Sequence, residues 1–314
     1  MSLPKVSSNP HIRSGATTQL IMFTVVLSLL PALGYGIYNF GIRALLVTGV
    51  CILSAVLSEA LFAVIVKKKV RISDLSACVT GLLLALNLPV SIPLWQAALG
   101  SVFAIVVVKE LFGGLGKNFM NPALAARCFL LISFPVAMTD FSTDAYTGAT
   151  PLALLKAGEA VDIKAMIFGN IPGTIGETSA VMLLLGACIL LLTGVIDLYI
   201  PASYILSFSL FIVFFSGHGV DPAYLTAQLA GGGLMLGAFF MATDYVTRPV
   251  SKKGQVVFGI FLGIMTGLFR LFGASAEGVS YAIILGNCIV PLIDKLTVPV
   301  PFGIKPSDFR KGGR

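Results

Sequence analysis

The sequence predicts an all-α integral membrane protein of about ten transmembrane helices, arranged as two inverted five-helix repeats. Three observations point there. Hydrophobic residues make up 57% of the 314, against 21 Lys+Arg and 14 Asp+Glu, and the mean hydropathy is +0.96; such a composition excludes a water-soluble globular domain. The apolar residues fall in runs near the ~20 that a helix needs to cross the hydrocarbon core. The spacing of Gly and Pro in the first half is echoed in the second.

Residues 1–19 are polar and read as a cytoplasmic N-terminal segment. Apolar runs near 20–38, 43–66, 75–90, 94–112 and 120–138 then form the first repeat, residues 20–138. The first run has no small-residue cleavage site, so it reads as a retained helix rather than a signal peptide. The second stops at Lys67, Lys68, Lys69 and Arg71, a cluster that a cytoplasmic boundary explains more simply than binding of anionic lipid or nucleic acid. Trp95, at the head of the fourth run, suits an interfacial anchor. Residues 139–178 follow as an extracytoplasmic loop with Asp140, Asp144, Glu159, Asp162 and Glu177 against Lys156 and Lys164. Connections this long without an apolar span are usually functional or disordered. Runs near 179–196, 198–216, 228–243, 255–272 and 279–293 form the second repeat, residues 179–294, and 295–314 are a tail.

Ten spans put both termini on one side, and sixteen of the 21 basic residues share it, so the termini are expected in the cytoplasm. The opposite side takes Arg43, Lys156, Lys164 and Arg270, and Arg127 falls inside the fifth span. The net charge of +7 is thus topological information, and no nucleic-acid partner is expected. Gly81 precedes Pro93 by twelve residues as Gly237 precedes Pro249. Each proline leads into a span ending Leu-Phe-Gly, at 111–113 and 271–273. Five spans per half give the halves opposite orientations, an arrangement that places sites at the repeat interface near mid-membrane.

Ionisable residues inside a membrane are costly and mark functional candidates. Glu59 lies within the second span, and Asp244 and Asp294 at the cytoplasmic ends of the eighth and tenth. Their carboxylates are the hard oxygen ligands that Na⁺, or a proton, would use. The bland alternatives are a bond from Glu59 to a neighbouring helix or subunit, an Asp244–Arg248 pair, and plain solvation of Asp294. Cys51, Cys78, Cys128, Cys188 and Cys288 sit singly in apolar runs and read as small core residues. His11 and His218 support neither a triad nor a metal site, and Gly113 to Lys117 lacks the spacing of a phosphate loop.

The long loop contains Asp144-Ala145-Tyr146-Thr147-Gly148-Ala149-Thr150. This pattern is similar to the acceptor motif of bacterial flavin transferases, which link FMN through its phosphate to the last threonine. Ser14-Gly15-Ala16-Thr17 is a control: it has His11 where the motif has Asp, lies on the cytoplasmic side, and leaves Thr17 an ordinary residue before the first helix. The remaining landmarks run in the same order as in a known family. They are Asn9-Pro10-His11, Gly114 to Asn118 with Asn121-Pro122, Gly173 to Ser179, Ala242 to Pro249, and Glu277 to Ile283. Over nearly its whole length the chain resembles the family that contains the D subunits of Rnf complexes, the ion-translocating ferredoxin:NAD oxidoreductases, and more distantly the B subunits of the sodium-pumping NADH:quinone reductases. The short N-terminal segment favours the Rnf branch.

The resemblance implies a membrane flavoprotein subunit of the bacterial cytoplasmic membrane. It implies covalent FMN on Thr150, with Asp144, Thr147, Gly148 and Ala149 as the rest of the acceptor motif. It implies a second, non-covalent flavin such as riboflavin, associated with an asparagine pair that Asn118 and Asn121 resemble. Side-chain amides suit an isoalloxazine edge, although the same two residues equally cap a helix before Pro122. The implied partners are the A, B, C, E and G subunits of the Rnf complex, membrane lipid and, during maturation, a flavin transferase. The chain would contribute to coupling ferredoxin oxidation and NAD reduction to Na⁺ or H⁺ movement. It has no NAD fingerprint and no iron–sulfur cysteine set of its own. The rival class is a secondary transporter or channel with an unmodified Thr150; a cofactor-free scaffold is a third.

Overall fold

The computed structural model describes residues 17–67, 72–142, 150–159, 161–273 and 278–299, and among them every regular element is helical. Helix α1 (Thr18–Phe40) starts where Thr17 Oγ1 accepts from Leu20 N–H, and α2 (Ile42–Ile65) follows at Gly41. Next come α3 (Ser76–Leu86), α4 (Leu94–Val102, running on as a π-helical stretch, Phe103–Glu110), α5 (Pro122–Ser133) and α6 (Pro135–Thr139). The connection expected outside the membrane has two short helices, α7 (Pro151–Lys156) and α8 (Ile163–Phe168). The second half contains α9 (Ala180–Leu192), α10 (Tyr199–Phe215), α11 (Pro222–Ala230), and α12 (Leu234–Leu236, running on as a π-helical stretch, Gly237–Met241). It ends with α13 (Lys252–Phe272) and α14 (Val279–Thr297).

A helix stands at each of the ten expected positions, but their lengths differ. Helices α1, α2, α13 and α14 are long and apolar enough to cross a membrane, and α11 with α12 makes a fifth such span bent by 62°. Helices α3, α5, α9 and α10 are apolar but shorter. The physical reason is plainest at α3, where the run expected to reach residue 90 stops at Leu86. Pro89 cannot continue a helix and biases Leu88 toward extended backbone. The chain from Asn87 to Ile92 is nonetheless almost wholly buried, so its backbone needs partners inside the protein. Ile175 N–H donates to Leu88 O at 3.1 Å and Gly176 N–H to Leu86 O at 2.9 Å. Arg43 Nε donates to Val90 O at 2.9 Å and Nη2 to Ser91 O at 3.0 Å.

Close helix contacts rest on small residues, as packing between membrane helices favours. Gly259, Gly263 and Gly267 form a stripe on α13 against Ser203, Ser207 and Phe211 of α10; a Cβ at Gly263 would lie 2.7 Å from Tyr204 O. Gly186 of α9 meets the backbone of Ser28 on α1 in the same way. Helix α2 packs on α3 and α4, α10 on α13, α1 on α9, and α5 on α14. Most buried apolar residues belong to one cluster running through these contacts.

The two short helices in the middle of the halves start alike. Leu75, before α3, has φ 61° and ψ 6°; Gly233, before α12, has φ 68° and ψ 12°. Each carries its glycine at the close contact: Gly81 against the backbone of Cys51 and Ile52, Gly237 against Val279.

Candidate functional site

Two clefts open at opposite ends of the bundle. The near cleft, at the end where α1 begins, spans about 800 Å³ counting the space open to solvent. The centres of water molecules fit into only about 90 Å³ of it, which makes it a narrow slot. Its walls are mostly apolar, with Leu83, Leu190 and Phe240 among them, and its polar groups are few: Ser76, Thr80, Lys109, Asn118, Asn121, Thr243, Asp244 and Tyr245. A narrow apolar cleft with a few convergent polar groups is the usual form of a small-molecule site. The far cleft is much smaller, with room for the centres of water molecules in only about 20 Å³, and is bordered by Thr150, Pro151, Leu152, Gly173, Glu177, Gly231 and Gly232. Helix α9 joins the two ends: Glu177 just before it borders one cleft and Leu190 near its end the other, roughly 20 Å apart at 1.5 Å per residue.

Thr150 is the N-cap of α7, where its Oγ1 accepts from Ala153 N–H at 3.4 Å. Asp144, Thr147, Gly148 and Ala149 lie outside the described residues. At the mouth of the same connection, hydrogen bonds from the side chain and backbone of Ser142 hold the Asp140 carboxyl below its ordinary range.

Asn118 and Asn121 both border the near cleft. Asn121 also caps α5: its Oδ1 accepts from Ala123 N–H at 3.0 Å and Leu124 N–H at 3.4 Å, and its Nδ2 donates to Met241 O at 3.3 Å. Asn118 Nδ2 donates to Met120 O at 3.1 Å. The capping reading holds for Asn121, which is largely committed to the backbone, and not for Asn118.

The three carboxylates considered for ion coupling are not gathered together. Glu59 forms a buried ion pair with Lys109, Oε1 to Nζ at 2.9 Å. Asp244 borders the near cleft and accepts from Thr247 Oγ1 at 3.2 Å, while Arg248 lies over the Tyr245 ring. Asp294 Oδ1 accepts from Val250 N–H at 3.0 Å, which ties the segment after α12 to α14. Among the described residues no three His, Cys, Asp or Glu side chains are grouped as a metal site. Cys51 and Cys128 are buried as expected of core residues, whereas Cys188 and Cys288 are exposed on the outside of the bundle.

Arg127 is buried as its place inside the fifth span implies, but its partners, and the burial of Glu177 and Arg270, were not evident from the sequence. Arg127 Nη1 donates to Glu177 Oε1 at 3.2 Å, Asn87 Oδ1 at 3.1 Å and Ser280 Oγ at 2.8 Å. Asn87 Nδ2 in turn donates to Leu83 O and contacts Met241 Sδ. Met241 O holds Asn121, so Met241 stands between Asn121 at the near cleft and the Asn87–Arg127–Glu177 chain of hydrogen bonds that leads to the far one. Arg270 donates to Gln228 O, Gly231 O and Gly232 O and lies 5.0 Å from the Phe208 ring centre. The available signal was weak: a lone Lys, Arg or Glu at the edge of an apolar run reads as a span boundary.

The fold defines a polytopic helical membrane protein with a cleft at each end of its bundle. The chain belongs to the NQR2, RnfD, RnfE family, whose pattern it matches over residues 5–303. It is 46% identical over 308 residues, 95% of each chain, to the D subunit of the Na(+)-translocating ferredoxin:NAD(+) oxidoreductase complex of Acetobacterium woodii. It is 42% identical over 321 residues, 96% of each chain, to the D subunit of the proton-translocating ferredoxin:NAD(+) oxidoreductase complex of Clostridium ljungdahlii. The D subunit of the ion-translocating oxidoreductase complex of Aliivibrio salmonicida is 35% identical over 348 residues, 96% of this chain and 98% of that one.

Proposed function

We propose that this chain is a membrane subunit of an ion-translocating ferredoxin:NAD⁺ oxidoreductase complex, relaying electrons between a covalent FMN on Thr150 and a second flavin, such as riboflavin, in the near cleft. The names of the relatives support the complex, and subunits of the A, B, C, E and G kinds supply the NAD and iron–sulfur ends. The observation that carries the two-flavin reading is Thr150, the last residue of the acceptor pattern, at the edge of a cleft on the opposite end of the bundle from Asn118 and Asn121. Ten spans in two inverted repeats, 20–138 and 179–294, fit the matched starts of α3 and α12 and the pairing of α1 with α9 and α5 with α14. A cytoplasmic near end fits the charge pattern, and puts the 139–178 connection outside, where a flavin transferase reaches Thr150.

A bound flavin supplies reversible electron transfer. The chain supplies position. Thr150 Oγ1 is the point of attachment, on a cleft whose border also includes Gly173, Gly231 and Gly232. In the near cleft Asn118, Asn121, Thr80 and Thr243 border a slot whose narrowness suits a planar ring, and Asn118 Oδ1 is the amide oxygen there that accepts no hydrogen bond among the described residues. Glu59, Asp244 and Asp294 remain the candidates for Na⁺ or H⁺ coupling, Asp244 from the cleft wall and Glu59 through Lys109. The test is in-gel flavin fluorescence of denatured protein from a host with its flavin transferase. A fluorescent band that Thr150→Ala abolishes and Thr17→Ala preserves is the expected result. A dark wild-type band would sink the covalent assignment and favour the transporter reading.

A further inference from the structure

Lys109 is the one cation, and Asp244 the one carboxylate, among the described residues lining the near cleft. Lys109 is only 2% exposed. Its Nζ donates to Glu59 Oε1 at 2.9 Å and to Ser76 Oγ at 2.7 Å, and Ser76 Oγ donates onward to Asp74 Oδ1 at 2.7 Å. Ser76 is itself on the cleft wall, whereas Glu59 lies behind the lysine, buried on α2. The ammonium is therefore held between the cleft in front and two carboxylates behind.

The local helix geometry is unusual at this place. π-Helical stretches account for well under 1% of residues and concentrate at functional sites. This chain has one at Phe103–Glu110, which contains Lys109, and one at Gly237–Met241, which contributes Phe240 to the same cleft. One residue more per turn re-aims the side chains that follow, and here it brings a lysine near the end of an apolar helix inward. A buried ion pair is a poor way to gain stability, because an apolar pair of similar volume holds helices together at least as well. A desolvated charge beside a cleft has another use: it sets the energy of any charge that arrives there.

We propose that Lys109 sets the reduction potential of the flavin in the near cleft by presenting a fixed positive charge to it, and that Glu59 holds that charge in place and tempers it. This rests on the reading of the near cleft as a flavin site. An electron added to the ring brings a unit of negative charge, which the ammonium favours, so the lysine raises the potential. Glu59 and Asp244 act in the opposite sense, Glu59 from behind the lysine and Asp244 from the wall.

The experiment uses the assembled complex in a Thr150→Ala background, so that this subunit holds only its non-covalent flavin. That flavin is released by acid and quantified, and its midpoint potential is measured by spectroscopic redox titration in the parent, Lys109→Met, Lys109→Arg and Glu59→Gln. The expected results are a fall of at least about 59 mV in Lys109→Met, a tenfold change for one electron, recovery toward the parent in Lys109→Arg, and a rise in Glu59→Gln. A parent subunit that releases no flavin would overturn the reading of the cleft itself. Flavin retained in Lys109→Met at an unchanged potential would leave that reading intact and overturn the proposal. Should Lys109→Met lose its flavin, Glu59→Gln decides: a raised potential supports the proposal and an unchanged one overturns it.

Discussion

The starts of α3 and α12 set the same physical problem at opposite ends of the bundle. Each is a helix that begins inside the protein after a residue in left-handed conformation, and at each a basic side chain from the span that follows reaches back to it. At the near start Lys109 binds Ser76 and takes a carboxylate, Glu59 of α2, as its counter-charge. At the far start Arg270 binds the carbonyls of Gln228, Gly231 and Gly232, and lies against an aromatic face, Phe208 of α10. The far cation is spent on backbone groups released by the break in the helix. The near cation makes one bond to a hydroxyl and one to a carboxylate and still borders a cleft. The comparison separates a charge that completes the fold from one that is available to a ligand.

Stability measurements on the detergent-solubilised protein test that separation. Arg270→Met should be the most damaging change, since it removes the donor to three main-chain carbonyls at about 1–3 kcal/mol for each buried group left unmade. Lys109→Met should cost less, about 3–5 kcal/mol for the buried Glu59 carboxylate it strands, because it removes no main-chain partner. Equal losses in thermal midpoint would remove the distinction between the two starts.

Arg127 joins the comparison from the middle. Its Nη1 ties the far cleft, through Glu177, to Asn87 and Ser280. Arg127→Leu leaves a buried carboxylate without its cation, a change of about 3–5 kcal/mol in comparable pairs. Adding Glu177→Leu should recover part of that loss, because the stranded charge goes too. A double variant no more stable than Arg127→Leu would show that the guanidinium's bonds to Asn87 and Ser280, rather than its charge pairing, hold this region.

What the sequence discloses follows from the range of the interactions involved. The apolar runs and the Gly–Pro spacing are local, and helix is found in each expected run, although only four helices, or five with the bent α11–α12 pair, are long and apolar enough to cross a membrane. The pattern ending at Thr150 is contiguous, so it is visible as a motif, and the structure sets that threonine at the edge of a cleft as the cap of α7. The end of α3 at Asn87 was legible in principle from Pro89, yet Leu83 to Leu88 supplies enough apolar residues to mask it. Lys109, Arg270 and Glu177 were not legible in their present roles. Lys109 and Glu59 are separated by 50 positions, as are Arg127 and Glu177, and Arg127 reaches Ser280 over 153. A charge at the edge of an apolar run looks the same whether it faces water or a buried partner, so charge counting assigns Arg270 and Glu177 to the outer surface. The structure buries both.

The smallest effect is expected at the backbone itself, where the two starts differ by one side chain. Gly233 occupies a conformation that costs an L-residue about 1–2 kcal/mol, and a Cβ there would strike the Glu177 carboxylate. Gly233→Ala should therefore exceed the backbone cost alone and also loosen the far cleft. Leu75 already bears that backbone cost with a half-buried side chain. Leu75→Asn trades some apolar contact for a residue that tolerates the left-handed region, and the two effects oppose each other. The change in stability should stay within about 1 kcal/mol of zero. A large loss in Leu75→Asn would mean that the leucine side chain fixes the start of α3, and the near start would then be as rigidly built as the far one.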